Sequence, residues 1–418
     1  MTAGWRERRD RASLRWQLAL FVLLPITAVF GHKGVAPWLL LLSLPAFLRG
    51  DFWQTAFGQL FDRPSLARPM FAGFIAILFF CFWIFISGFW SPAQHPSLAF
   101  WVLAPVLVGG SVVWFALHLS DIWSYRLAYA FAIAIAAGMG VLLLEGLTEG
   151  FLRSVLPPDD PTPNRGEDII ALGRGVTALA PALFPAAAIA AMVWGRGAAF
   201  AVLALGVGAA VTNDVTANVA GIAAGLAACA VALKAPTRSL DIAGWGVIVC
   251  LLLAPVAMLL PVQSIFEAGA DAMPSSWLHR VAIWQAVGEK IPEGLPLGFG
   301  ADFSRVWEDT APKVIVPGAA YPMSVISLHP HNFFLQIWLE LGLPGVLSFA
   351  FFIYCGMRVL KAAEPPRIVV AAIVSALAAV LASIMIEGSI WQVWRLAAMA
   401  LAAMGVALAF SLRRARAR

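Results

Sequence analysis

Pro69-Met-Phe-Ala-Gly-Phe-Ile-Ala-Ile-Leu-Phe-Phe-Cys-Phe-Trp-Ile-Phe-Ile-Ser-Gly-Phe89 runs for six turns of helix without one charged side chain. About 20 apolar residues are enough to carry a helix across a hydrocarbon core of ~30 Å. Outward from this segment the pattern repeats: 61% of the 418 residues are hydrophobic, 12% are charged, and the mean hydropathy is +0.84. A water-soluble domain needs charged side chains to cover its outside, so this composition excludes one. The reading is an all-α, polytopic integral membrane protein of about twelve transmembrane helices. They are placed near 16–31, 35–48, 69–89, 99–118, 126–147, 175–194, 198–212, 215–233, 241–259, 336–356, 367–386 and 394–412. The second and seventh are short enough to be tilted or incomplete spans. Residues 1–418 form a single transmembrane domain, with 260–335 as a long loop within it.

The charges orient the bundle. With the N-terminus in the cytoplasm, the inner connections collect about two Lys or Arg for each one outside, and both termini fall inside. Trp5-Arg6-Glu7-Arg8-Arg9-Asp10-Arg11 resembles the charged start of a signal peptide, but no small-residue cleavage site follows, so the first helix is expected to be retained. The net charge of +5 gathers at particular loops rather than in a nucleic-acid patch. Cys81, Cys229, Cys250 and Cys355 lie within apolar segments and read as small core residues. Residues 50–66 read as an interfacial helix on the cytoplasmic side.

Two outer loops stand out, around 148–174 and 260–335, and the second is far longer than any other connection. Its residues 277–291 carry a helical stripe of Trp277, Val281, Trp284, Gly288 and Ile291, with Arg280 about 40° from the centre. An arginine so placed needs an anion. Its forked donors can capture a phosphate, or it can snorkel or pair with Glu293 or Asp302. Where the long loop returns to the membrane, Ser327-Leu-His-Pro-His-Asn-Phe-Phe-Leu-Gln-Ile-Trp-Leu-Glu-Leu-Gly-Leu-Pro-Gly345 places His329 and His331 around Pro330. Asn332 can cap the following helix. His331 at the rim of a cavity can titrate near neutral pH and act as a base on a sugar hydroxyl, or simply hydrogen-bond at the interface. No further ligand cluster accompanies the two histidines, so no metal site is expected.

His331-Asn332 followed by Gly342-x-x-Gly345 resembles the signature of the O-antigen ligase and polymerase superfamily. Arg280-Val-Ala-Ile-Trp284, Pro296-Leu-Gly-Phe-Gly300 and Arg174-Gly-Val-Thr177 are similar to other pieces of that family. So is the plan of about twelve spans with one long periplasmic loop. The resemblance implies an inverting, metal-independent glycosyltransferase of the bacterial inner membrane, without cofactor and with its active site on the periplasmic face. The implied donor is an undecaprenyl-diphosphate-linked glycan and the acceptor lipid A-core, amid membrane lipids and no nucleic acid. Carried onto this chain, it implies His331 as base and Arg280 and Arg174 on the donor diphosphate, with His329 an alternative base. One departure is the stretch Thr212-Asn213-Asp214-Val215-Thr216, which lacks the arginine of a Ser-Arg-Gly-like family element. Arg395 is the candidate substitute, or else an anchor beside Trp391 and Trp394. Asp214 and Asn218 serve the acceptor or cap the eighth span, and Glu387 is a partner for Arg395 or a site residue.

An O-antigen ligase is the leading expectation, and a Wzy-type polymerase the alternative. A protein O-oligosaccharyltransferase is disfavoured because the chain stops at Arg418, just after its last span. A transporter is disfavoured because the spans are nearly free of charge and show no repeat.

Overall fold

The computed structural model describes residues 3–47, 64–155, 165–213 and 215–417. In order these form α1 (Ala3–Val29), α2 (Val35–Phe47), α3 (Pro64–Ser87), α4 (Leu98–Leu117), α5 (Asp121–Leu147), the short α6 (Phe151–Val155), α7 (Arg165–Trp194), α8 (Arg196–Thr212), α9 (Thr216–Lys234) and α10 (Pro236–Leu253). The long loop adds α11 (Val262–Gly269), α12 (Ser275–Gly294), α13 (Phe303–Thr310) and a two-residue antiparallel pair, β1 (Lys313–Val314) with β2 (Met323–Ser324). The chain closes with α14 (Phe333–Gln336), a π-turn (Ile337–Leu341), α15 (Gly342–Ala362), α16 (Arg367–Ile386) and α17 (Val393–Ala417). Ten helices among the described residues are long and apolar enough to cross a membrane, and Arg196–Thr212 is a shorter apolar one. The protein is an all-α polytopic membrane protein. Most of the 50–66 segment read as an interfacial helix lies outside the described residues.

Helix α7 is the axis of the bundle. Its apolar window is 83% buried, whereas the other spans leave much of theirs facing outward. The reason lies in its sequence, where alanines and glycines let neighbouring backbones approach and α5, α8, α16 and α17 pack around it. Arg174, expected at the mouth of a span, lies well inside this helix.

Helix α12 forms, but its face differs from the expected stripe. The buried side runs through Leu278, Ala282, Ile283, Val287 and Ile291, while Trp277, Val281 and Trp284 are half-buried at its edge. Two partners cover it and rotate the stripe. Phe266 and Val316 pack on its first half, and Leu335 and Leu339 on its second.

Candidate functional site

Segment 327–345 is built around a break in the helix. Asn332 accepts hydrogen bonds from Phe334 N (3.0 Å) and Leu335 N (3.2 Å), which starts α14 at that residue. The π-turn then ends at Gly342, whose φ of +57° belongs to the left-handed region. A broken helix leaves carbonyls without partners. Here Phe299 N donates to Leu339 O (2.9 Å), Gly300 N to Glu340 O (2.8 Å) and Trp83 Nε1 to Leu341 O (2.8 Å). Pro296-Leu-Gly-Phe-Gly300 is thereby docked against the turn. The fit is close: a Cβ on Gly298 would lie 2.6 Å from Glu340 O, and one on Gly342 would overlap Pro296 O.

Glu340 is the polar hub beneath this surface, and sequence reasoning passed over it. It is fully buried. Its carboxylate accepts from Asp302 N (2.8 Å), Ser304 Oγ (2.6 Å), Gln336 Nε2 (3.0 Å) and Trp391 Nε1 (2.9 Å). Gln336 in turn accepts from Ile390 N at 3.1 Å. One side chain therefore joins the long loop, the re-entry helix and the connection between α16 and α17. A Gln and a Glu four residues apart in an apolar run are the signal that could have revealed it.

That last connection carries Glu387, which lies between two of the expected cations. Its Oε1 is 3.9 Å from Arg280 Nη2 and its Oε2 is 3.5 Å from Arg395 Nη2. Arg395 is 6% exposed, donates from Nε to Gln392 Oε1 (2.5 Å) and from Nη1 to Ser383 Oγ (2.7 Å), and lies over the Trp394 ring. Arg280 donates to Ile386 O and Ser276 O, each at 3.0 Å. Its expected structural partners are engaged elsewhere, Glu293 by Lys290 and Asp302 by His95 and Arg305. Burial lowers the Arg280 pKa and Glu387 opposes the shift, but a guanidinium remains charged. Arg174 is exposed on α7, within electrostatic reach of Arg395.

His331 faces the same cluster. Its backbone is left-handed, with φ +52°, and its N–H donates to His329 Nδ1 at 3.2 Å, so the neutral His329 ring carries its proton on Nε2. The two rings lie 4.3 Å apart. Burial, and after it His329, Arg280, His279 and Arg395, pull the His331 pKa down to about 3. Burial, Arg395, Arg305 and Arg280 bring His329 to about 4. Burial first, and the neighbouring cations after it, therefore place both histidines below the near-neutral range expected of His331. Among the described residues no group of three or more potential metal ligands occurs. Asp214 lies outside the described residues. Asn218 ties α9 to α7 through Gly173 O (2.8 Å) and Thr177 Oγ1 (2.7 Å).

The structure thus brings Arg280, Arg395, His329 and His331 into one cluster from three separate parts of the chain. Comparison with known proteins bears on this segment directly. Residues 199–350 match the family model described as O-antigen ligase. Over that stretch, about a third of its length, the chain is similar to the O-antigen ligase family. The matched segment contains Arg280, His329, His331, Asn332 and Glu340, and excludes Arg174 and Arg395. Among similar proteins is a candidate polysaccharide ligase of Rickettsia prowazekii, 34% identical over 104 residues, which are 25% of each chain. Another, of Rickettsia conorii, is 28% identical over 144 residues, or 34% of each. A third, of Rickettsia typhi, is 35% identical over 83 residues, or 20% of each. The chain therefore spans about a third or less of the curated relatives it matches.

Proposed function

We propose that this protein is an O-antigen ligase of the bacterial inner membrane. It moves a glycan from undecaprenyl diphosphate to a sugar of lipid A-core, without a metal and with inversion. Both termini are cytoplasmic, and the site opens to the periplasm from the 260–335 loop of a single transmembrane domain. The observation that carries the reading is the convergence of Arg280 and Arg395 on Glu387 beside His331. A sugar diphosphate already has a good leaving group, so transfer needs only a base and cations. The acceptor oxygen attacks the anomeric carbon as the carbon–oxygen bond to phosphate breaks. The hydroxyl proton passes to His331, and the departing diphosphate is held by Arg280, Arg395 and Arg174. His331 is neutral before the donor binds and so is ready to accept that proton. The donor's negative charge offsets the arginines and raises its basicity. His329 holds the His331 backbone, Asn332 fixes the helix start, and Asp214 supports the acceptor side.

The test is transfer in vitro by purified protein with undecaprenyl-diphosphate-linked glycan, lipid A-core and excess EDTA. Glycan joined to lipid A-core is expected, with losses of about 10²–10⁴-fold in His331→Ala and about 10²–10³-fold in Arg280→Ala. Elongation of the donor alone would make the chain a polymerase. Full activity in His331→Ala would remove the proposed base.

A further inference from the structure

The turn Gly31–Lys33 between α1 and α2 meets α7 at the level of Arg174. Gly31 has φ +66°, and a Cβ there would overlap the Ala171 carbonyl oxygen. On the other side of Arg174, a Cβ on Gly175 would overlap the Ala28 carbonyl oxygen. The two backbones therefore touch on both flanks of Arg174, and His32 is fixed beside it. The His32 ring lies 5.5 Å from the ring of Trp394, the same indole that the Arg395 guanidinium covers at 4.5 Å. Its Nδ1 is buried with no hydrogen-bond partner among the described residues. A proton on Nε2 rather than Nδ1 avoids a buried N–H without an acceptor, and leaves Nε2 as the ring's donor. Burial, followed by Arg174, Lys33 and Arg395, lowers the His32 pKa, which disfavours the charged ring among these cations.

We propose that His32 is a further ligand of the lipid-linked diphosphate, donating from Nε2–H beside Arg174 and Arg395. This rests on the donor reading above. It gives the site a contribution from the first outer turn. An anion placed between the two arginines offsets their charge on the imidazole and strengthens its N–H as a donor.

The experiment is binding of undecaprenyl diphosphate, and of undecaprenol as the phosphate-free control, to the full-length protein in detergent. The variants are His32→Ala, His32→Gln and Arg395→Ala, each checked for an unchanged melting temperature. His32→Ala should weaken diphosphate binding about tenfold and leave undecaprenol binding unchanged. His32→Gln, which keeps an N–H near the Nε2 position, should restore most of the loss. Wild-type affinity in His32→Ala with loss in Arg395→Ala would overturn the role of His32 and leave the donor reading standing. Equal losses in His32→Ala and His32→Gln would assign His32 to packing on Trp394 and overturn the role as well. A wild-type protein that does not distinguish diphosphate from undecaprenol would overturn both readings.

Discussion

His331 shows how one side chain can be drawn two ways by its neighbours. Burial, and after it His329, Arg280, His279 and Arg395, hold its pKa at about 3, while the same two arginines would suit the proposed anionic donor. A base must be unprotonated to act, and a lowered pKa moves its acid limb below the ordinary histidine value of about 6.5. For the donor, kcat/KM should therefore stay level from pH 8 down to about pH 5, and an acid limb near 6.5 would contradict this environment. The same shifts act on stability. The folded chain holds His329 and His331 neutral where the unfolded chain protonates them, so stability is full above about pH 6.5 and declines as pH falls towards the folded values. The melting temperature in detergent should drop across pH 6.5 to 4, and drop less in the His329→Gln/His331→Gln double variant. Glu387 makes a different case, because Arg395 is buried and Glu387 carries the only negative charge paired with it among the described residues. Glu387→Ala should cost about 2 kcal/mol, less than a fully buried pair because the carboxylate is partly exposed. Thermal unfolding of the purified variant measures it.

The re-entry element ties its chemistry to its support. Asn332 starts a helix that lasts until the π-turn, and the carbonyls freed there are satisfied by Phe299, Gly300 and Trp83. Glu340→Ala would strand donors from Ser304, Gln336, Trp391 and the Asp302 backbone, each costing about 1–3 kcal/mol when buried and unpaired. Loss of folded protein in size-exclusion chromatography is expected. Gly342→Ala should be milder, on the order of 1–3 kcal/mol, since it forces a left-handed alanine against Pro296 O. Limited proteolysis should then cut within 296–305, where the wild type resists. If Gly342→Ala protects that loop as well as wild type does, the docking of Pro296–Gly300 on the turn is not what holds it.

Across the whole molecule, α7 is the member most enclosed by its neighbours, and three of the proposed ligands lie on it or on elements packed against it. Arg174 belongs to α7, His32 to the turn packed on it, and Arg395 to α17, which also packs on it. Sidedness follows from the proposed topology. In whole cells lacking the native cysteines, Tyr321→Cys at the exposed outer hairpin should react with a membrane-impermeant maleimide added to the periplasm. Ala362→Cys, exposed at the end of α15, should react only after the inner membrane is opened. The reverse pattern would invert the orientation and place the proposed site in the cytoplasm.

Apolar length and charge determine the membrane class from sequence alone, because no other solvent accepts helices such as 69–89. The break near Gly342 and the cap at Asn332 are equally local, set by residue type within one turn. The partners of Arg280 are not local. Glu293 and Asp302 were nearer in sequence, yet the bound carboxylate is Glu387, 107 residues away, because tertiary packing brings the α16–α17 connection over α12. The buried face of α12 was misplaced for a related reason. Its own stripe was legible, but the side it buries depends on Phe266, Val316, Leu335 and Leu339, whose positions no helical period contains. Glu340 and His32 carry no recognisable motif of their own. What they do depends on which groups arrive beside them: hydrogen-bond donors around a carboxylate, and cations around an imidazole. Local chemistry acts within a turn of helix and can be read along the chain, whereas burial and electrostatics act through space and are decided only when distant segments meet.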